Sequence, residues 1–293
     1  MDGVAGTLER FRELTSGPPD EVPIALPALL IASAERPEIA IEACERRLQD
    51  MAETLAQRLR RDRDWQTPQR VVQTVNQLLF TELGFRGDDA HYNSPRNLDL
   101  SEVLAERSGI PVTLAIVYVE VCQRAGLDVS AVGLPSHVIC RYRPPGGDAD
   151  SDPSDEGILI DVFNGGALLS VADCQRLVRR AFGGRAPFKP HYLSALTPRQ
   201  LLQRLLHNLK AGYLQRGDEE RAGRAMDFLL ALFPWDLDEI RDRGMLRERM
   251  GDYPTALSDL EQYVQYRSGA RDIQTVTETV RLLRRHTRAS GDS

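Results

Sequence analysis

Residues 112–126, VTLAIVYVEVCQRAG, place apolar side chains on nearly every side of the helix they would form. A helix without a polar face has to be enclosed by other elements. Pro111 ahead of it suits a first helical position, and Gly126 ends it. The chain must therefore build layers around this segment. Its 293 residues suffice for one large domain or about two ordinary ones.

The flanking sequence names the layers. Over residues 1–90 the pattern is helical. LERFRELT is a short amphipathic segment stopped by Ser16-Gly17-Pro18-Pro19. A longer helix follows Pro37, with Ile41, Leu48, Met51, Leu55 and Leu59 near helical spacing. Pro68 opens a third, whose apolar face is Val71, Val72, Val75, Leu78 and Leu79 and whose end is marked by Gly84 and Gly87. NSPRN (93–97) reads as a turn, and LDLSEVLAERSG as a short helix stopped by Gly109. After the enclosed helix come three short β-rich runs, Val129–Gly133, His137–Tyr142 and Ile158–Phe163. The Gly-, Pro- and Asp-rich stretch 144–157 predicts a mobile loop joining two antiparallel strands. Asn164-Gly165-Gly166 reads as a turn, and residues 171–182 return to helix.

From Thr197 onward the pattern is helical throughout. Gly217-Asp218 and Gly251-Asp252 recur 34 residues apart, as do Ala222 and Ala256, and Leu230 and Val264. That is the tetratricopeptide period. Two repeats are legible, with a last helix around 272–286 as a cap. Tyr213 and Trp235 fall at positions expected to pack between helices. The reading divides the chain into a helical segment 1–90 packed on the core, an α+β core 91–196 and an all-α repeat module 197–293.

Charge and composition narrow the function classes. The net charge is -6, which argues against nucleic acid or an anionic membrane as partner, since both need a basic footprint. The longest apolar run, VPIALPALLIA (22–32), is too short to span a bilayer and carries two prolines. No leader pattern opens the sequence, so a soluble cytoplasmic protein is expected. Cys44, Cys122, Cys140 and Cys174 form no CxxC pair and are expected as reduced thiols. No two of the five histidines stand three or four residues apart, and no nucleotide-binding motif is present. Neither a metal nor a cofactor is expected.

The pair that could carry chemistry is His137 and Asp161. If their strands pair antiparallel, the side chains meet on one face. A carboxylate beside an imidazole fixes its tautomer and leaves the other ring nitrogen as a base. A nucleophile at the start of the preceding helix would complete a triad, because a helix N-terminus favours a thiolate. A structural hydrogen bond explains the same spacing.

Several blocks together carry a family resemblance. They are LLFTELGF (78–85), SPRNLDLSEVL (94–104), GIPVTLAIVYVEVCQRAGL (109–127), VGLPSHVICRY (132–142), ILIDVFNGG (158–166) and RLLHNLKAGYLQRGD (204–218). In that order they resemble the bacterial SirB-type proteins, which join a transglutaminase-like core to tetratricopeptide repeats. The resemblance implies an α+β, papain-like core, with Cys at the start of a central helix and His and Asp on successive strands. His137 and Asp161 match the last two positions. The Cys position falls near Pro111, which has no nucleophile, and Thr113 is the nearest hydroxyl. Cys140, three residues after His137, points to the opposite face of its strand. Cys122 lies about 16 Å deeper along the helix and is expected in the core. Pro95-Arg96-Asn97 resembles a family signature. Arg96 and Asn97 are candidate ligand contacts, Glu102 a partner for Arg96, and Asn164 a further ligand contact.

The expected function is that of a cytoplasmic interaction or regulatory protein. Its core would be degenerate, and its repeats would offer a concave surface to a protein or peptide. The alternative is a cysteine- or hydroxyl-dependent amidase, protease or acyl-transfer enzyme with His137 as base, Asp161 as orienting group and Thr113 as the remnant nucleophile.

Overall fold

In the computed structural model, residues 2–18, 21–61, 67–92, 94–146, 157–184 and 187–291 are described. Helix α1 (Asp2–Thr15) ends ahead of Ser16-Gly17-Pro18. The apolar run too short for a membrane becomes α2 (Ala25–Glu35), with Ala28, Leu29, Leu30 and Ile31 buried. Helix α3 (Ile41–Arg61) buries the Leu48, Met51, Leu55 and Leu59 stripe. Helix α4 (Pro68–Asn76) starts at Pro68, but the segment does not stay α-helical to its glycines. It widens into a π-helical turn over Gln77–Glu82, with the Leu83 N–H donating to the Leu78 carbonyl at 2.9 Å.

Pro95–Leu98 forms a 3-10 turn where a turn was expected; Asn93 lies outside the described residues. Helix α5 (Leu100–Glu106) is capped by the Asp99 carboxylate, which accepts from the Ser101 and Glu102 amides. It stops earlier than the predicted Gly109, because Arg107 takes a left-handed conformation, φ 56°. The residues released form a parallel pair, β1 (Arg86–Gly87) with β2 (Ser108–Gly109).

Helix α6 (Pro111–Arg124) is enclosed as its sequence requires, with every residue from Pro111 to Cys122 buried. It lies on a four-stranded antiparallel sheet in chain order: β3 (Asp128–Leu134), β4 (His137–Arg143), β5 (Ile158–Asp161) and β6 (Ala167–Leu169). The strand predicted over 158–163 ends at Asp161, and a fourth strand follows the Asn164-Gly165-Gly166 turn. Three residues in β6 were too few to show a period in the sequence. The opposite face of the sheet is covered by α7 (Val171–Ala181). There Val132, Leu134, Ile139 and Leu159 pack with Cys174 and Val178. Of the loop expected over 144–157, residues 147–156 lie outside the described residues.

The chain divides into two compact units, Met1–Leu205 and Leu206–Ser293. Helix α8 (Pro198–Gln215) begins in the first and ends in the second. The second continues with α9 (Glu219–Leu232), α10 (Leu237–Arg249), α11 (Tyr253–Tyr266) and α12 (Ile273–Gly291). The 34-residue repeat has a visible cause. Gly217 and Gly251 are left-handed, φ 72° and 80°, and reverse the chain. The aspartates that follow, Asp218 and Asp252, cap α9 and α11 by accepting from the Arg221 and Thr255 amides. Ala222 and Ala256 are fully buried where small side chains let helices approach. Tyr213 packs inside as expected, but Trp235 does not. It lies in the α9–α10 connection, 71% exposed, with its ring edge-on to Tyr266 at 6.1 Å.

Polar contacts in this unit join several charged groups at once. Lys210 Nζ donates to both oxygens of Glu239 and to Asp242 at 2.8–2.9 Å. Arg243 donates to both oxygens of Asp259 and to Asp227, which also accepts from Arg247.

Candidate functional site

The hairpin between β3 and β4 sets the position of His137. Its loop has only two residues, Pro135 and Ser136, and Leu134 pairs directly with His137. Proline supplies the first turn angle, while Ser136 takes φ 62°, a region that a side chain makes costly. Strain of this kind persists where surrounding contacts over-determine it. Arg204 supplies two of those contacts, donating through Nη1 to the carbonyls of Leu134 at 2.9 Å and His137 at 3.2 Å. Burial lowers the Arg204 pKa, and the guanidinium spans both ends of the turn. Gly133 makes room for it. A Cβ there would lie 2.8 Å from Leu196 and 3.1 Å from the Arg204 guanidinium.

Asp161 ends β5, and its carboxylate organises the turn that follows. Oδ1 accepts from the Phe163 and Asn164 backbone amides at 3.2 and 3.3 Å, and Oδ2 from Asn164 Nδ2 at 2.8 Å. Oδ1 also meets His137 Nε2 at 3.0 Å. An ionised carboxylate only accepts, so Nε2 carries the proton. Burial pushes the Asp161 carboxyl up. The hydrogen bond and charge of His137, with the Asn164 contacts, outweigh it and hold the group below its ordinary value. Asp161 is nearly buried and His137 is 16% exposed. Among the described residues, Nδ1 of His137 has no hydrogen-bond partner. Phe163 stands edge-on to the imidazole at 6.2 Å and to Tyr92 at 6.1 Å, giving the pair an aromatic wall.

The turn is fixed from behind. Asn76, the last residue of α4, donates through Nδ2 to the Gly166 carbonyl at 2.7 Å and accepts from the Tyr118 hydroxyl at 3.2 Å. Gly166 is left-handed, φ 78°, and a Cβ there would come within 2.4 Å of the Asn76 side chain.

Of the remaining sequence candidates, Thr113, Asn97, Glu102 and Asn164 are each engaged by hydrogen bonds or ion pairs. Pro111 takes the first position of α6. The Thr113 hydroxyl is fully buried and committed to the backbone. It accepts from the Ile110 amide at 3.1 Å and donates to the Asn97 carbonyl at 2.8 Å. Asn97 is buried too, its Nδ2 donating to Asp88 and to the His91 carbonyl, so it braces the 88–91 loop. Arg96 is exposed on the 3-10 turn. Glu102 does not pair with it; Arg36 of the α2–α3 connection takes Glu102 and Asp99 together. Asn164 is exposed and bonded to Asp161.

All four thiols are free, and burial disfavours every thiolate. Cys122 and Cys140 are pushed up, Cys44 is raised, and Cys174 rises to about 11. Among the described residues, no group of three or more His, Cys, Asp or Glu side chains converges as a metal would require. Sequence reasoning missed Asn76 and Arg204. Polar residues on an amphipathic helix read as solvated, and only the tertiary fold brings these two to the turns.

An enclosed helix on an antiparallel meander, with His and Asp on successive strands, is a transglutaminase-like core. Residues 42–207 match the Transglutaminase-like superfamily, and residues 209–281 the Tetratricopeptide repeat. The chain is 31% identical over 273 residues to a UPF0162 protein of Xylella fastidiosa, covering 92% of each. It is 30% identical to a UPF0162 protein of Haemophilus influenzae, over 69% of this chain and 72% of that one. F-box only protein 21 of Homo sapiens is 26% identical over 63% of this chain and 29% of its own length. The chain belongs to the UPF0162 proteins of the transglutaminase-like superfamily, with the core-plus-repeat architecture of the SirB-type resemblance. Among the described residues, no helix is long and apolar enough to cross a membrane.

Proposed function

We propose that the chain is a cytoplasmic protein-interaction or regulatory protein whose transglutaminase-like core does not perform covalent catalysis. The observation that carries this reading is the start of α6. Pro111 occupies the position that the family resemblance gives to the nucleophile, and the nearest hydroxyl, Thr113, is fully buried and bonded to backbone. The raised thiols support it, since the thiolate and not the thiol is the nucleophile. The core then keeps His137 and Asp161 as a remnant ligand site, with the exposed Arg96 and Asn164 as ligand contacts. The repeats take a protein or peptide partner on their helical surface.

A second reading rests on the pair itself. His137 is held by Asp161 at 3.0 Å with Nδ1 left over, which is the arrangement of a general base in an amidase, protease or acyl-transfer enzyme. Two measurements separate the readings. Treating the full chain with an electrophile that traps activated thiols and hydroxyls gives no adduct dependent on His137 if the first holds. Partner capture by the full chain survives His137→Ala and drops when the exposed Trp235 and Tyr266 are both changed to Ala. An adduct lost in His137→Ala would overturn the first reading.

A further inference from the structure

The turn between β3 and β4 is of a kind that does not hold a hairpin by itself. Two-residue hairpin loops favour turns whose first residue has a positive φ, because those match the twist of the strands. Here the order of signs is reversed. Pro135 fixes its φ at about −65°, and Ser136 follows with φ 62°. A negative angle followed by a positive one is the sign order of a type II turn, which splays the strands it joins. His137 opens β4 directly behind this turn, opposite Leu134. Splaying would carry its imidazole away from Asp161, whose own place is set by the Phe163 and Asn164 amides.

Arg204 closes the turn from outside. It lies 67 residues after His137, on α8, and its Nη1 bridges the carbonyls of the two residues that the turn joins. Two features show how much the chain gives up for this contact. Among the described residues no carboxylate pairs with Arg204, and burial is the cause that lowers its pKa. Taking a cation out of water without an anion beside it is unfavourable. Gly133 also leaves its side-chain space empty, since a Cβ there would lie 3.1 Å from the Arg204 guanidinium. A hairpin that only joined two strands would use Asn-Gly in its loop and need no distant arginine.

We propose that Arg204 is a positioning residue for His137. By clamping both ends of the turn it keeps the imidazole Nε2–H on Asp161 and leaves Nδ1 for a ligand. The inference rests on the reading of His137 and Asp161 as a ligand site or catalytic pair, and Arg204 acts only through His137.

The test is nuclear magnetic resonance of the full chain with 15N-labelled histidine at about pH 8.5, where imidazoles are neutral. The ring nitrogens separate a single tautomer, protonated at Nε2, from an exchanging mixture. The His137 signals are assigned by their loss in His137→Gln. The unaltered chain is expected to show the single tautomer, and Arg204→Met a mixture. Arg204→Lys keeps a charge and a donor, so it retains more of the single tautomer than Arg204→Met. It also serves as the comparison if Arg204→Met does not fold. Arg199→Met is the matched control. Arg199 lies on the same helix and also donates to backbone carbonyls, those of Thr15 and Gly17. Its loss lowers the melting temperature and leaves the His137 signals in place. The proposal alone is overturned if the arginine-204 variant that folds keeps the single tautomer in full, or if Arg199→Met abolishes it equally. A mixture in the unaltered chain would overturn both the proposal and the reading of the pair.

Discussion

The repeat unit and the His137–Asp161 pair of the core treat buried charge differently. In the repeat unit, Arg243 meets Asp227 and Asp259, Lys210 meets Glu239 and Asp242, and these cations and carboxylates bind one another in closed groups. In the core, Asp161 gathers the amides of its own turn and one imidazole, and among the described residues that imidazole keeps a ring nitrogen without a hydrogen-bond partner. A closed network fixes how helices pack. An open one leaves a group with a bond still to make. Polar burial alone therefore does not mark a site.

The sharpest way to break this contrast is to open the closed network. Arg243→Met leaves both oxygens of the buried Asp259 without their guanidinium, while Asp227 keeps Arg247. It is expected to destabilise the repeat unit by about 3–5 kcal/mol in urea denaturation. A loss below about 1 kcal/mol, the value of an exposed pair, would make the network surface decoration. Next in size, Asp161→Ala strips the acceptor from His137 and from the turn amides. A loss of about 1–3 kcal/mol is expected, together with displaced Asn164 and Gly166 amide resonances.

Acid gives a smaller effect of known sign. The folded-state carboxyl of Asp161 lies below its ordinary value of 3.8. A depressed acid stabilises the fold while ionised. Its contribution is complete above the unfolded-state value and disappears as pH falls through the folded one. Between about pH 5 and pH 2, Asp161→Asn should therefore lose stability less steeply than the unaltered chain, and the two slopes should coincide at neutral pH. The smallest effect is at the hairpin. Ser136→Gly relieves a left-handed residue and should raise stability by about 0.5 kcal/mol, the strain removed less the entropy glycine adds to the unfolded chain. A fall in the melting temperature would mean that the Ser136 side chain holds the turn.

Much of this architecture was legible because strong periodicities produced it. The enclosed helix, the amphipathic stripe of α3 and the 34-residue spacing each follow from burial, and burial leaves a repeating trace in sequence. The His137–Asp161 contact was legible because two short strands fix their own register. Features resting on single tertiary contacts were not. Arg107 ends α5 in a conformation usually left to glycine or asparagine, and nothing in AERSG announces it. Trp235 reads as core by type, yet it sits in a connection where its contact with Tyr266 leaves most of it exposed. Glu102 was assigned to its neighbour in sequence, Arg96, whereas Arg36 reaches it from another helix connection.

The order of the sheet bears on how the chain acquires its structure. Each strand of the β3–β6 meander pairs with the one made just before it, so His137 and Asp161 come from one contiguous stretch of sequence. Contacts between near neighbours along the chain form fast, because little loop entropy is lost in closing them. The packing of α3 on α6 needs more distant partners. During synthesis the His–Asp pair can therefore assemble as soon as β5 has emerged, before any of the repeat helices exists.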